Sequence, residues 1–395
     1  MWQKIKNIYH LLLAIFANIL FLFPSRGMKV IGITGTDGKT TTVNLIYHIL
    51  KTAGKKVSMI SSINAVIGGK TYATGFHVTT PTSFALQKFL RKARKLKSEY
   101  FVLEITSHAI DQNRIFGIPF EVGVLTNITN EHLDYHKTYD NYLKTKASLL
   151  KKSKTSIVNT DDISYTLLSD VKNKKLPENW ITYGLSDTSD YNPKTFDIKK
   201  ARLVGDFNKY NALAAVSCAK SLGINNEAIK KALDSFHMPI GRVDYVYQKD
   251  FSIMIDFAHT PNAFEKILST VKPITKGKII HVFGSAGERD ILKRPFLGEI
   301  SSKYCDILIL TAEDPRSEDV NKIIAEIEVG IKREECEVIR IPDRKEAIEA
   351  AVQMAKKDDL VLITGKAQEE SMTVEQKELP WDEFAVAYEA LNKRG

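Results

Sequence analysis

The stretch "KVIGITGTDGKTTTVNLIYHILKTAG", residues 29–54, constrains the fold more than any other part of the chain. "KVIGIT" is a short apolar run with β-branched residues and predicts a buried strand. After the glycines, Val43, Ile46, Tyr47, Ile49 and Leu50 recur at helical spacing, and Gly54 gives a helix stop. A strand that passes through a glycine loop into a helix points backbone N–H groups and the helix dipole at one spot, which suits an anion. Gly35 and Gly38 let the backbone close on phosphate oxygens, Lys39 supplies a charge for the β- and γ-phosphates, and Thr40 offers a hydroxyl to Mg²⁺. The common phosphate-loop pattern needs a glycine five residues before Gly38, where Ile33 stands; the glycines are at 32 and 35 instead. A merely structural strand-to-helix turn would not need a lysine with correct flanks on both sides.

The chain has 395 residues, enough for two domains, and 44% hydrophobic with 26% charged residues exclude a disordered protein. Its 56 basic and 47 acidic residues leave a net charge of +9, compatible with an anionic substrate or a membrane surface. No basic stretch interleaved with aromatics marks a nucleic-acid module, so no nucleic-acid partner is expected. Cys218, Cys305 and Cys336 are too few and too scattered for a disulfide framework or a zinc site, which points to a reducing, cytoplasmic setting.

The first 27 residues stand apart as a hydrophobic helix. "IYHLLLAIFANILFLF", residues 8–23, is flanked by Lys4, Lys6 and Arg26 and contains no acid. It falls short of the roughly 20 residues a span requires, holds His10 and Asn18, and is followed by no small-residue cleavage site. Three readings stay open: a helix in the membrane interface at the inner face of the cell membrane, a helix packed on the following domain, and a true span.

From residue 28 to 240 the chain alternates strands, "YFVLEIT", "VGVLTNI" and "TSIVNT", with helices such as "SFALQKFLRKARKL" and "YDNYLKTKASLLKK". This predicts an α/β domain with a parallel sheet. A second series over 241–395, with strands "FSIMIDFA", "KIIHVFG", "DILILTA" and "DLVLITG", predicts a Rossmann-like α/β domain without the G-x-G-x-x-G fingerprint. Candidate chemistry lies where strands end. Glu104 sits inside the apolar run "FVLEITSH", where a carboxylate is costly unless paired or metal-bound. "NITNEHLDYH" sets His132 and His136 beside Glu131 and Asp134, and Lys146 follows on a helix.

In order along nine-tenths of the chain, "TGTDGKTTT", "TTP", "EITSHAIDQNR", "TNITNEHLDYH", "YLKTKASLL", "GDFNKYNALAA", "GRVD", "DFAHTPNA", "GSAGERDILKRP", "EDPRSED" and "GKAQEE" resemble the Mur ligase family. These are ATP-dependent amide-bond ligases of peptidoglycan precursor synthesis. "HLDYH", "DFAHTPNA" and "GERDILKRP" are most similar to the tripeptide synthetases of that family, which add diaminopimelate or lysine to UDP-MurNAc-L-Ala-D-Glu. The shortened glycine loop is the family's own form.

The resemblance implies a monomer with a central ATP-binding domain (28–240) and a C-terminal amino-acid-binding domain (241–395), and the following roles. Gly35, Thr36, Asp37, Gly38, Lys39, Thr40 and Thr41 would hold the phosphates. Thr40 and Glu104 would hold one Mg²⁺, and His132 with Glu104 a second. Lys146 matches a carbamylated lysine: burial lowers a lysine pKa, and a neutral amine can add CO₂ to become an oxygen ligand. Asn208 and Asn211 match adenine contacts and Asp256 a ribose contact; Arg242 at the hinge would reach phosphate, and Lys293 and Arg294 would add charge near the γ-phosphate. Thr79, Thr80, Ser107 and Arg114 match muramyl-peptide contacts. Asp314, Arg316, Gly365 and Glu369 match positions that bind the incoming diamino acid. Lys39, Glu104, His132 and Lys146 would be the catalytic set, with closure of the second domain gating amine attack.

Some positions depart from the family pattern. The hydrophobic segment stands where the family carries its UDP-binding domain, which opens the identity of the acyl substrate. Asp314 replaces the usual asparagine, and Gln368 a usual histidine. Two other readings are a related ligase with a different acceptor, of folylpolyglutamate synthase or poly-amino-acid ligase type, and a non-catalytic nucleotide-binding scaffold at the membrane. "HLDYH" and "DFAHTPNA" speak against the first, and Lys39, Glu104, His132 and Lys146 together against the second.

Overall fold

Lys29–Thr34 forms strand β1 because Val30, Ile31 and Ile33 are fully enclosed and lie on alternating faces of a sheet covered on both sides. The computed structural model describes residues 2–75, 79–129, 131–170, 180–198, 203–332 and 335–394. They divide into two units, 1–237 and 238–395.

In the first unit, β2 (Val57–Ile60), β3 (Ala65–Ile67), β4 (Lys70–Tyr72), β5 (Tyr100–Glu104), β6 (Phe120–Leu125), β7 (Ser153–Asn159) and β8 (Trp180–Tyr183) join β1. The sheet order is β4-β3-β2-β5-β1-β6-β7-β8. From β2 to β8 neighbouring strands run parallel, and β3 and β4 turn back antiparallel at one edge. The helices of this unit are α1 (Trp2–Leu20), α2 (Lys39–Thr52), α3 (Ser83–Lys95), α4 (Ser107–Asp111), α5 (Leu133–His136), α6 (Tyr139–Lys151), α7 (Ile163–Asp170), α8 (Asp206–Ser221) and α9 (Asn226–Asp234).

One face of the sheet packs Ile31, Ile33, Val102 and Val124 against Val43, Ile46 and Ile49 of α2 and Leu213 and Val216 of α8. The other packs Val30, Phe101, Leu103 and Phe120 against Leu86 and Leu90 of α3 and Leu149 of α6. The apolar N-terminal segment is therefore not needed to close either face. It forms α1, which lies against α3 with Ala14 and Ala17 fully buried. Asn18, also buried, donates to Ala14 O and Phe116 O, both at 2.8 Å. Among the described residues no helix is long and apolar enough to cross a membrane.

The second unit has β9 (Asp244–Gln248), β10 (Ser252–Asp256), β11 (Ile279–Phe283), β12 (Ile307–Leu310), β13 (Glu337–Arg340) and β14 (Leu360–Thr364), in the order β13-β12-β11-β14-β10-β9. All neighbours are parallel except β9 with β10. β15 (Ser371–Val374) and β16 (Lys377–Pro380) form a separate hairpin. The helices are α10 (Pro261–Val271), α11 (Arg294–Tyr304), α12 (Val320–Glu328), α13 (Arg344–Met354) and α14 (Glu383–Arg394).

Arg344, at the start of α13, is fully buried with Glu383, at the start of α14. Its Nε and Nη2 donate to the carboxylate at 2.9 and 2.5 Å, and Nη1 and Nη2 also donate to Ala312 O and Thr364 O. Removing one partner leaves an uncompensated buried charge. Glu383→Ala should therefore destabilise the second unit by about 3–5 kcal/mol, whereas Arg344→Met with Glu383→Leu should cost much less. Calorimetric unfolding of the two variants checks this.

Candidate functional site at the glycine loop and the C-terminal unit

The glycine loop leaves β1 and enters α2 at the carboxyl ends of the parallel strands, where open α/β sheets bind ligands. Gly38 is the N-cap of α2 with φ 79°, and Gly35 has φ 149°. A Cβ at Gly35 would lie 1.8 Å from Thr126 Oγ1, and one at Gly38 2.2 Å from Asn211 Oδ1. The end of β6 ties the loop down: Asn127 O accepts from Thr36 N at 2.8 Å, Asn127 Oδ1 accepts from Asp37 N at 2.9 Å, and Thr126 Oγ1 donates to Asp37 O at 2.7 Å. Lys39 Nζ donates to Thr36 O at 2.6 Å, so its ammonium lies over the loop. Thr40 and Thr41 are buried at the first turn of α2.

Glu104, at the end of β5, is 2% exposed. Its Oε1 accepts from Thr40 Oγ1 at 3.1 Å and its Oε2 from Ser62 N at 2.8 Å. Ser62 Oγ is also 2.9 Å from Thr40 Oγ1. Carboxylate and hydroxyl oxygens so close together form a hard donor set of the kind Mg²⁺ takes. Lys146, on α6, is 2% exposed; its Nζ is 2.5 Å from Gly35 O and 4.4 Å from the Tyr142 ring centroid. Burial, and next the Lys39 charge, hold its pKa well below the ordinary lysine value, against the opposite pull of Glu131 and Asp37.

His132 adopts φ 55° and stands 4.9 Å from the His108 ring and 3.8 Å from Glu131 Oε2. Among the described residues, no group of three or more His, Cys, Asp or Glu side chains could hold a metal ion. The Asp134 side chain and all of Asn130 lie outside the described residues. The other histidine of this segment, His136, places Nε2 2.9 Å from Ser107 Oγ. Thr80 Oγ1 donates to Glu104 O and accepts from Thr106 N, both at 3.0 Å, and Arg114 Nη1 donates to Thr80 O at 2.8 Å. Thr79 precedes this knot. The structure thus brings Thr80, Ser107 and Arg114 to the end of β5. Asn208 and Asn211 are also buried: Asn211 Nδ2 donates to Asn208 Oδ1 at 3.0 Å, and Asn208 Nδ2 donates to Val204 O at 2.8 Å. They back the loop from α8.

In the second unit, Asp256 Oδ2 accepts from Val243 N at 2.8 Å and Oδ1 from Ala258 N at 2.7 Å. Burial raises its pKa although Arg242 pulls the other way. The Arg242 guanidinium lies 4.5 Å from the Phe257 ring centroid. Lys293 Nζ donates to His259 O at 2.8 Å. Arg294, expected to serve phosphate with it, is instead fully buried and bonded to Glu318 and Glu326, so its charge is used inside the fold.

The "EDPR" segment is aligned by β15. Asp314 Oδ1 accepts from Thr373 N at 2.9 Å, and Arg316 N donates to Thr373 O at 3.0 Å. Arg316 has φ 56°, and its buried Nε makes no hydrogen bond among the described residues. Gly365 has φ 108°, and a Cβ there would meet Glu313 Oε2 at 3.0 Å. Lys366, which the sequence reading passed over although it stands in "GKAQEE", is fully buried and donates to Asp314 Oδ1 at 2.9 Å and Glu369 Oε2 at 2.6 Å. Burial alone would lower its pKa; Glu369 and Asp314 outweigh that and raise it. Ser62 and Asn127 were also passed over, and Ser62, in a polar turn, carries no spacing signal.

Residues 33–219 match the Mur ligase middle domain, and residues 241–367 match the Mur ligase, glutamate ligase domain. The chain belongs to the Mur ligase family. Its relatives include UDP-N-acetylmuramoyl-L-alanyl-D-glutamate–2,6-diaminopimelate ligase 1 of Clostridium acetobutylicum, 39% identical over 391 residues, which span 94% of this chain and 79% of that protein. The corresponding ligase of Aquifex aeolicus is 38% identical over 96% of this chain and 80% of its own. A solved UDP-N-acetylmuramoyl-L-alanyl-D-glutamate–2,6-diaminopimelate ligase superposes with TM-score 0.61 at 26% identity, covering 93% of this chain and 79% of that one. Folylpolyglutamate synthase of Mycobacterium tuberculosis, complexed with ADP and AMPPCP, gives TM-score 0.70 at 15% identity over 92% of this chain and 97% of that one, a likeness of fold. As a Mur ligase the chain is an ATP-dependent enzyme that forms amide bonds in peptidoglycan synthesis.

The loop geometry gives a direct test. Gly38→Ala combines a left-handed φ with a Cβ against Asn211 and should weaken ATP binding at least about tenfold, more than 1.4 kcal/mol. Gly54→Ala, also at positive φ but with open space around its Cβ, should cost about 1 kcal/mol of stability and leave ATP affinity unchanged. Isothermal titration and thermal melting of both variants separate the two effects.

Proposed function

We propose that this Mur ligase adds diaminopimelate to UDP-MurNAc-L-Ala-D-Glu, the reaction for which its relatives from Clostridium acetobutylicum and Aquifex aeolicus are named. ATP binds with its phosphates on the loop from Gly35 to Thr41. Thr40 and Glu104 would hold Mg²⁺, which would supply positive charge against the transferring phosphoryl group. Lys39 swings from Thr36 O to the β- and γ-phosphates. A carboxylate is a poor acyl donor because oxide is a poor leaving group. The glutamyl carboxylate oxygen therefore attacks the γ-phosphorus, ADP leaves, and an acyl phosphate forms. The amine of the incoming amino acid attacks the acyl carbon, loses a proton, and expels inorganic phosphate. Thr79, Thr80, Ser107 and Arg114 position the muramyl peptide; His132 belongs to the same loop cluster. A carbamate on Lys146 would add a carboxylate oxygen beside the loop, and a buried amine with a lowered pKa supports that reaction with CO₂.

The observation that carries the choice of amino acid is Arg316. A buried guanidinium nitrogen without an acceptor calls for one. The distal carboxylate of diaminopimelate supplies it in a two-pronged pair. Its distal ammonium can share Asp314 and Glu369, which now flank Lys366. Lysine offers the ammonium but no carboxylate.

With UDP-MurNAc-L-Ala-D-Glu, ATP and Mg²⁺, phosphate release should depend on diaminopimelate, with kcat/KM above that for lysine by at least about tenfold. Arg316→Ala should erode the preference; equal use of both amino acids by the unaltered enzyme refutes this pocket. Lys146→Ala should abolish ligation and regain part of it in acetate or bicarbonate, as small anions replace the missing carboxylate. Near-normal turnover of that variant without added anion would remove the carbamate from the site.

A further inference from the structure

Residues 1–98 hold fifteen Lys and Arg and a single acid, Asp37, against 56 and 47 in the whole chain. The remainder is therefore net negative, and the positive charge is gathered in the part that contains α1 and α3. Neither helix contains an acid.

The orientation of α1 about its axis is fixed by polar contacts on one side. Besides Asn18 on Phe116 O, Asn7 Nδ2 donates to Asp111 Oδ2 at 3.0 Å and Gln3 Nε2 to Tyr135 OH at 2.7 Å. Residues 3, 7, 14, 17 and 18 thus form the inner face. The outer face is Ile5, Ile8, Tyr9, Leu12, Phe16, Ile19 and Leu20, each between 51% and 61% exposed. At 100° per residue these fall in one stripe about 120° wide and roughly 22 Å long. A contiguous apolar face of this size, rimmed by cations, marks an interaction surface.

The rim is basic. Lys6 and Arg26 are exposed at the two ends of the segment. Phe84 of α3 packs on Phe16, and the Arg91 guanidinium lies 6.0 Å from the Phe21 ring centroid. Lys88, Arg91 and Lys95 share the helical side of Phe84 and are exposed along the flank of α1.

We propose that this face binds an anionic lipid surface, with α1 lying in the headgroup layer parallel to the membrane and the α3 cations on lipid phosphates. An interfacial helix needs an apolar face beside a basic one, which the fold assembles from two helices. A second copy of the chain would bring like charges together, and a nucleic acid would leave the apolar stripe without a use. The reading is independent of which amino acid the enzyme adds. It sets Asp111, Arg114 and Tyr135, next to the inner face of α1, at the membrane side of the first unit.

The test is sedimentation of the full chain with vesicles of phosphatidylcholine alone or with about a third phosphatidylglycerol, at roughly 0.1 and 0.5 M salt. Binding should be at least tenfold stronger to the anionic vesicles and fall with salt. Ile8→Gln/Leu12→Gln/Ile19→Gln and Lys88→Gln/Arg91→Gln/Lys95→Gln should each lose tenfold or more, and ATP turnover in vesicle-free solution should be unchanged. Cys218, Cys305 and Cys336 are buried, so a spin label on Leu12→Cys reports the face without removing it. On anionic vesicles the label should become accessible to oxygen and shielded from water-soluble relaxants. No binding to anionic vesicles, equal binding to both lipids, a label that stays in water, or a dimer dissolved by the apolar variant would each overturn the proposal.

Discussion

A carboxylate buried at the end of a central strand must have its oxygens bonded, and the way Glu104 meets that requirement organises the first unit. One oxygen takes the Thr40 hydroxyl from the helix that follows the glycine loop. The other takes the Ser62 N–H from the turn after β2, and the Glu104 backbone carbonyl takes the Thr80 hydroxyl. Three segments far apart in the chain converge on one residue because that residue cannot be left unsatisfied. The loop in turn is held against β6 by Thr126 and Asn127, so close that Gly35 has no room for a side chain beside Thr126, while one at Gly38 would meet Asn211 of α8. The shape of the glycine loop follows from polar satisfaction around a buried acid as much as from the glycines.

Much of this was legible in the sequence, and the limits have physical reasons. β1, β5, β6, β7 and the central strands of the second unit are buried on both faces, so they read as continuous apolar runs. α2, α3, α6, α10 and α12 carry a clear apolar period. By contrast β4, β9, β13 and the β15–β16 hairpin lie at sheet edges or outside the main sheets, where half-exposed residues blur any pattern. At the site, Lys39, Thr40 and Glu104 could be picked out because each is polar in an apolar or glycine-rich setting. Ser62 and Asn127 could not, since their contribution is a backbone N–H or an amide aimed by the fold. Lys366 was hidden differently: a lysine reads as solvated unless its partners are known, and Asp314 lies 52 residues away. Arg294 shows the reverse error, a cation near a motif whose charge goes to Glu318 and Glu326 in the interior.

The N-terminal helix gives a third lesson. Its apolar content was plain, but composition could not say which side faces the protein. Three small or polar residues decide it: Ala14 and Ala17 let the helix approach closely, and Asn18 ties it to the carbonyl of Phe116. The bulky residues are left on the other side.

The Lys366 arrangement has a consequence for how the proposed amino-acid site of the second unit meets solution. Asp314 and Glu369 carry two negative charges, and Lys366 and Arg316 carry two positive ones, so the four groups balance before any ligand arrives. A balanced site exerts little long-range pull and does not gather stray cations or free polyamines by electrostatic steering. Under the proposed function, recognition is deferred to contact, when a molecule's ammonium can exchange with Lys366 at Asp314 and Glu369 while its carboxylate takes up Arg316. Selection then rests on geometry at short range and varies little with ionic strength, because no net charge is created or buried in the exchange.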